Sequence, residues 1–242
     1  MGYNKNDPAT IQSMFNSIAK RYDFTNSVLS LQMHKSWNRA LVAAVGGTSK
    51  ADSLLDLCCG TGDIALAYLQ VAKAPCKVFL IDFSTDMLAC AKEKSKQLGA
   101  SGHRLEFIEA DVQELPLPDA IADCATIAYG IRNVKDPIKC FHEVFRTLKP
   151  GGRFGILELT QPTNPVMRLG HSLYLRTILP LLGKWLTANQ AAYDYLRASI
   201  HTFITPAHLE KLLKEAGFIN TYRKPLAGGI ATILFGQKPE GK

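Results

Sequence analysis

The chain has 242 residues, 47% hydrophobic and 20% charged, a balance that excludes intrinsic disorder and fibrous repeats and suits one folded domain. A net charge of +7 and a pI near 9.1 favour anionic partners, nucleic acid or an anionic membrane surface, without choosing between them. The start lacks a charged stretch followed by an apolar run of about 7 to 15 residues, and the six cysteines form no C-x-x-C pair, so reduced thiols in a cytoplasm are expected.

Ile11, Met14, Phe15, Ile18, Ala19 and Tyr22 fall on one helical face, which predicts an amphipathic leading helix over 10–22. From Ser53 onward, apolar runs alternate with helical patterns. The runs are 54–58, 78–81, 105–108, 124–128 and 154–157, and the alternation predicts a doubly wound, mostly parallel α/β sheet. A helix is predicted over 136–148, with Pro137 in its first turn and Pro150-Gly151-Gly152 stopping it. Residues 160–205 carry apolar, helix-like sequence with no strand candidate, longer than a crossover needs. Its apolar stretch from Leu169 is interrupted by His171, Arg176, Pro180 and Lys184 before it reaches the length of a membrane span. Thr205 is the expected N-cap of a further helix that ends at Gly217. Two last strands, 218–222 and 230–235, bring the sheet to seven, and Gly228-Gly229 permits a reversal that makes the final strand antiparallel. These parts read as one domain: a helical lid (1–50), a cofactor-binding core (51–160), an inserted helical cap (161–205), and a terminal helix with strands (206–242).

The strongest local signal is the strand-turn-helix LLDLCCGTGD, whose Gly60 and Gly62 let the backbone approach a nucleotide. Gly60-x-Gly62-x-x-Ala65 meets a loose dinucleotide fingerprint, but two carboxylates argue against a pyrophosphate there. Asp63 stands in the first helical turn and Asp56 on the strand, where phosphates would be repelled. S-adenosylmethionine carries an ammonium and a sulfonium and no phosphate, so Asp56 and Asp63 are expected to face its cations. Asp82, twenty residues after Gly62, is placed to accept from both ribose hydroxyls. Asp111 is placed to accept from the adenine amino group, with Phe83 and Val112 on the ring. Helix capping is the plain structural alternative for Asp63 and Asp111. No second pair of ligands stands at zinc spacing from Cys58 and Cys59, and no metal is expected.

FNSIAKRYDFTN, LDLCCGTGD, ADVQELPLPD, GIRNV at 130–134 and LKPGG resemble the quinone-biosynthesis C-methyltransferases, the demethylmenaquinone and ubiquinone methyltransferases. The likeness spans nearly the whole chain; Tyr22-Asp23-x-x-Asn26 and GIRNV are its most particular motifs. It implies a class I methyltransferase fold, cofactor contacts at Thr61, Asp82, Asp111 and Val112, and methyl transfer to a quinol ring carbon. Many members of that family carry Asn at the position of Asp111 and Ser at that of Ala128, so no hydrogen bond is expected from Ala128. Arg132 and Asn133, at a strand's carboxyl end, are the catalytic candidates, with Arg132 stabilising phenolate charge. Tyr22 would close over the site, and it or a water held by Arg132 would take the proton. For Arg132 the ordinary alternative is a surface ion pair, for Tyr22 a core aromatic.

The expected substrate is a lipophilic quinol, demethylmenaquinol ahead of the benzoquinol of the ubiquinone pathway. Apolar residues 167–185 would groove an isoprenoid tail. Lys20, Arg21, Lys35, Arg39 and Lys184 would aid reversible contact with the inner face of the cytoplasmic membrane. Two other readings compete. An RNA methyltransferase would suit the basic pI, but the cations are dispersed and no nucleic acid is expected. A cofactor-binding subunit without chemistry would share the fold.

Overall fold

The computed structural model describes residues 8–46, 53–97, 102–178 and 190–241. Seven strands form one sheet: β1 (Ser53–Leu57), β2 (Lys77–Asp82), β3 (Arg104–Glu109), β4 (Ala122–Ala128), β5 (Leu148–Leu159), β6 (Ile219–Leu226) and β7 (Ala231–Gln237). They lie in the order β3-β2-β1-β4-β5-β7-β6, and β7 runs antiparallel to both of its neighbours. The doubly wound parallel sheet with a reversed last strand is therefore as expected. The reversal comes at a one-turn 3-10 segment, Ala227–Gly229, where Gly228 and Gly229 take φ of 67° and 95°.

Strands buried on both faces need apolar side chains on both, which explains the short unbroken runs. Leu55 and Leu57 pack with Phe79, Phe141 and Phe154 on one face, Leu54 with Val78, Leu80 and Leu41 on the other. Helices cover each face: α3 (Met33–Ala44), α4 (Asp63–Leu69) and α5 (Thr85–Gln97) on the second, α6 (Pro137–Thr147) and, near the carboxyl end, Pro206–Glu215 on the first. The caps follow their chemistry: Asp136 accepts from Lys139 N before α6, and Thr205 from His208 N before Pro206–Glu215.

Two expectations need correction. The leading helix does not run through residue 22: α1 (Pro8–Ile18) passes through a 3-10 turn, Ala19–Arg21, into α2 (Tyr22–Leu29). That break re-aims Tyr22 and Asp23. Pro150-Gly151-Gly152 does not stop α6, which ends at Thr147; the triplet is a bulge inside β5, whose pairing with β4 shifts register there. Between β5 and the terminal helix stand α7 (Pro165–Leu173), a π-turn (Tyr174–Ile178) and α8 (Gln190–Thr202), so the terminal helix Pro206–Glu215 is α9. Leu179, Leu182, Lys184 and Trp185 lie outside the described residues.

Helix α3 sits directly on β5 at Gly155, where an added Cβ would lie 2.6 Å from Val45 Cγ1 and 2.8 Å from Leu41 Cδ1. Gly155→Ala should therefore lower stability by about 1–3 kcal/mol through overpacking, measured as a fall in the urea midpoint; an unchanged midpoint would contradict this packing.

Candidate active site

The sheet order reverses between β1 and β4, and open α/β sheets bind ligands at the carboxyl ends of strands beside such a point. The turn after β1 is sharply wound, with Cys58, Gly60 and Gly62 at φ of 50°, 53° and 84°. An added Cβ on Gly130, after β4, would lie 2.4 Å from that of Cys58, so the two turns touch at a bare backbone. Asp82 ties the first turn to β2: Gly60 N donates to Oδ2 at 2.8 Å and Ser84 N to Oδ1 at 2.9 Å. Burial raises the pKa of this carboxyl, while the amides oppose the rise.

Two cavities open at this point. The first, about 510 Å³, brings together Tyr22, Gly60, Asp82, Phe83, Asp111, Val112 and Asn133. The second, about 600 Å³, brings Tyr22, Asp56, Gly60, Thr61 and Arg132 to one wall. Tyr22, Cys58, Gly60, Ala128 and Tyr129 line both, so the cavities share a wall. Gly62 lines neither. Its left-handed φ forms the N-cap of α4, and an added Cβ would lie 3.2 Å from Leu80 Cδ2 and 3.3 Å from Ala91 Cβ, so close packing also favours glycine there.

The carboxylates divide differently from expectation. Asp63 faces the protein's own cation, Lys94, at 2.5 Å, and Lys94 also pairs with Asp23 at 2.5 Å. Asp56, 1% exposed, accepts from Ala65 N in the first turn of α4 and from Thr126 Oγ1, both at 3.0 Å. It supports the helix from the strand below, and burial pushes its pKa up to about 7. Asp111 accepts from Gln113 N at 2.9 Å in a local turn, not at a helix. Asp82 and Asp111 are the carboxylates among the expected contacts that line the first cavity.

Arg132 is neither a surface pair nor a free cation. Its Nη1 donates to Glu158 Oε1 and to Tyr129 O, both at 2.5 Å, and its Nε to Ser199 Oγ at 3.3 Å; Glu158 is fully buried. A charged Glu in the apolar run of β5 requires such a partner, and that was the signal available in the sequence. Asn133 Oδ1 accepts from Tyr195 Oη at 2.5 Å. Burial raises the pKa of Tyr22, so its phenol stays protonated at neutral pH.

Sequence reasoning missed how the leading helices attach. Gln12 Nε2 donates to Phe83 O, and Ser84 Oγ to Asn16 Oδ1 at 2.5 Å. Thr61 Oγ1 donates to Asp23 Oδ1 at 2.5 Å. Phe15 meets Tyr22, Phe83 and Tyr195 edge-on at 6.2–6.3 Å. These long-range partners leave no local pattern.

Solved structures share the architecture. A SAM-dependent methyltransferase from Aquifex aeolicus superposes with a TM-score of 0.62 at 17% identity, over 92% of this chain and 97% of that one. A putative S-adenosyl-L-methionine-dependent methyltransferase from Methanococcus maripaludis gives 0.63 at 17%, over 94% of each. The fold is that of the class I methyltransferases. The model of the ubiE/COQ5 methyltransferase family matches residues 3–238, and the chain belongs to that family. It is a methyltransferase whose methyl donor is S-adenosylmethionine. A demethylmenaquinone methyltransferase of Protochlamydia amoebophila is 59% identical over 237 residues, 98% of each chain. That of Chlamydia trachomatis serovar L2 is 42% identical over 234 residues (96% of this chain, 98% of the relative), and that of Staphylococcus aureus 35% over 238 (98% and 97%).

The first cavity suits that donor. Three carboxylates, Asp82, Glu109 and Asp111, stand in its wall against one cation, Lys135, and an added Cβ on Gly60 would meet only the Tyr22 ring, at 3.8 Å. A neutral nucleoside with a cationic sulfur fits such a wall; a pyrophosphate does not.

The raised pKa of Asp56 has a consequence for stability. Between the ordinary carboxyl value of 3.8 and about 7 the folded state keeps a proton that the unfolded state has released, so stability falls with rising pH across that window. Asp56→Asn, which can still accept from Ala65 N, should gain stability relative to wild type from pH 4 to pH 7 and no further above it. Denaturation midpoints of both proteins at pH 4.5, 6 and 8 test this; a pH-independent gap would refute it.

Proposed function

We propose that the chain transfers the methyl group of S-adenosylmethionine to a ring carbon of a polyprenylated naphthoquinol, converting demethylmenaquinol to menaquinol. The observation that carries this reading is the shared wall: a carboxylate-lined cavity sized for a nucleoside meets a larger one walled by Leu29, Trp37, Ile64 and Tyr174. The names of the relatives favour the naphthoquinol over the benzoquinol.

Asp82 would accept from the ribose hydroxyls, since the backbone amides bonded to it leave lone pairs on its carboxylate. Asp111 would accept from the adenine amino group, with Phe83 and Val112 on the ring, and Gly60 and Thr61 would border the methionine portion. The donor supplies an electrophilic methyl on a positive sulfur. The quinol form is the acceptor, because a hydroxyl that loses its proton pushes electron density onto the neighbouring ring carbon. Tyr22, as a retained phenol, would donate to that oxygen, and Arg132 would bias it electrostatically while holding Tyr129 and Asn133 in the wall. Alignment and exclusion of water then carry the rate. In this reading α1 to α3 act as the lid and α7 to α8 as the cap.

The rim of the second cavity is apolar and open. Leu31, Met33, Val166 and Met167 are exposed there, Phe24 on α2 and Leu169 and Leu173 on α7 are exposed as well, and Lys20, Arg21, Lys35 and Arg39 are exposed cations of the leading segment. This surface suits reversible contact with an anionic bilayer, from which the tail would enter. Among the described residues no helix is long and apolar enough to cross a membrane.

Purified protein given the donor and demethylmenaquinol should release methylated quinol, identified by mass spectrometry, and Asp82→Ala should weaken donor binding by about 1–3 kcal/mol in calorimetry. No product with active donor binding would remove the quinol assignment. Val166→Glu with Leu169→Glu should reduce sedimentation with anionic vesicles while leaving the rate on a short-tailed quinol intact; undiminished sedimentation would exclude this surface.

A further inference from the structure

Tyr22 is held protonated and the guanidinium of Arg132 is bonded to Glu158, so neither side chain takes the quinol proton. The second cavity is lined by two histidines among the described residues, His34 and His171. His34 stands in the first turn of α3, only 6% exposed, because Leu31 and Gln32 take left-handed φ of 49° and 64° and turn the chain back between α2 and α3.

Its tautomer follows from proton counting. Ser30 Oγ lies 2.6 Å from Asn26 O and 2.6 Å from His34 Nδ1. A carbonyl has no proton to give, so the single hydroxyl proton goes to Asn26 O, and Ser30 Oγ must accept from Nδ1–H. Nε2 then carries a lone pair. It has no hydrogen-bond partner among the described residues, yet no buried side-chain nitrogen or oxygen described there lacks one, so Nε2 opens to the cavity that His34 lines. His171, on α7, lines the same cavity, and no hydrogen bond among the described residues selects its tautomer.

We propose that His34 Nε2 is the base that accepts the quinol hydroxyl proton during methyl transfer. The proposal rests on the quinol reading above. As the O–H bond breaks, its electron pair moves into the ring, the ring carbon bonds to the methyl, and the methyl–sulfur pair returns to sulfur as a neutral thioether. The methylated carbon then loses its own hydrogen as a proton to water, and the oxygen recovers its proton from His34, so one proton leaves per turnover. Burial keeps the imidazole below its ordinary pKa, and hence neutral at pH 7. The charged groups that face it are Asp63 on α4 and Asp23 on α2, which favour the cation, and Lys35 on α3 and Lys94 on α5, which oppose it.

The test uses the full chain with His34→Asn, whose amide can still donate to Ser30 Oγ but has nothing in place of Nε2. On demethylmenaquinol, kcat should fall about 10²- to 10⁴-fold, the acid limb of the kcat–pH profile should disappear, and donor affinity by calorimetry should stay within about twofold (under ~0.5 kcal/mol). A kcat within about threefold of wild type with the limb intact, equal losses of kcat and donor affinity, or loss of the limb in His171→Asn instead would each overturn the proposal. Nitrogen-15 spectra of the wild-type histidines give a readout independent of turnover: protonated Nδ1 and bare Nε2 at His34 support it, and the opposite tautomer overturns it. Absence of any wild-type turnover of demethylmenaquinol would instead fall on the substrate assignment.

Discussion

The buried pair of Arg132 and Glu158 is the interaction on which the arrangement of the site depends. Glu158, one residue before the end of β5, has no exposure, and a carboxylate there is tolerable only with a cation and further donors at hand. Arg132 supplies the cation, and its own backbone amide together with that of Leu159 donates to the same carboxylate. The guanidinium also binds Tyr129 O and Ser199, so one charge pair joins β5, the turn after β4 and α8. Removing one partner of such a pair costs about 3–5 kcal/mol. The pair thereby braces the turn that carries Tyr129, in the wall between the two cavities, and Asn133, in the wall of the first.

A second set of charges places the leading helices over the carboxyl ends of the strands. Lys94 on α5 bridges Asp63 at the start of α4 and Asp23 at the start of α2, and Asp23 also accepts from Thr61. These groups are partly exposed, so each contact is weak taken singly. With Gln12 on Phe83 O, Asn16 with Ser84 and the edge-on ring of Phe15, they hold α1 and α2 where Tyr22 borders both cavities. The 3-10 turn at Ala19–Arg21 makes this possible, because a continuous helix would carry Tyr22 along the axis of α1.

Charge at the donor pocket is thus sorted by depth. Asp56 is withdrawn beneath α4, Asp63 is neutralised by Lys94, and Asp82 and Asp111 are left in the cavity wall. All four stand at strand ends or turns in the sequence, where they look alike. What distinguishes them is which amide or cation folding brings near, and for Asp56 and Asp63 those partners are 9 and 31 residues away.

The strands, their alternation with helices, the caps at Asp136 and Thr205 and the hairpin glycines were all determined by the sequence itself, because each is set by side chains within one turn or one pleat of each other. The family motifs likewise marked Tyr22, Arg132 and Asn133. Only the tertiary structure decided that Gly62 packs against Leu80 and Ala91, that Arg132 is matched by Glu158, and that His34 lines the second cavity. Those outcomes hang on contacts between segments far apart in the chain, or on where a turn re-aims a side chain, and period and spacing carry no record of either.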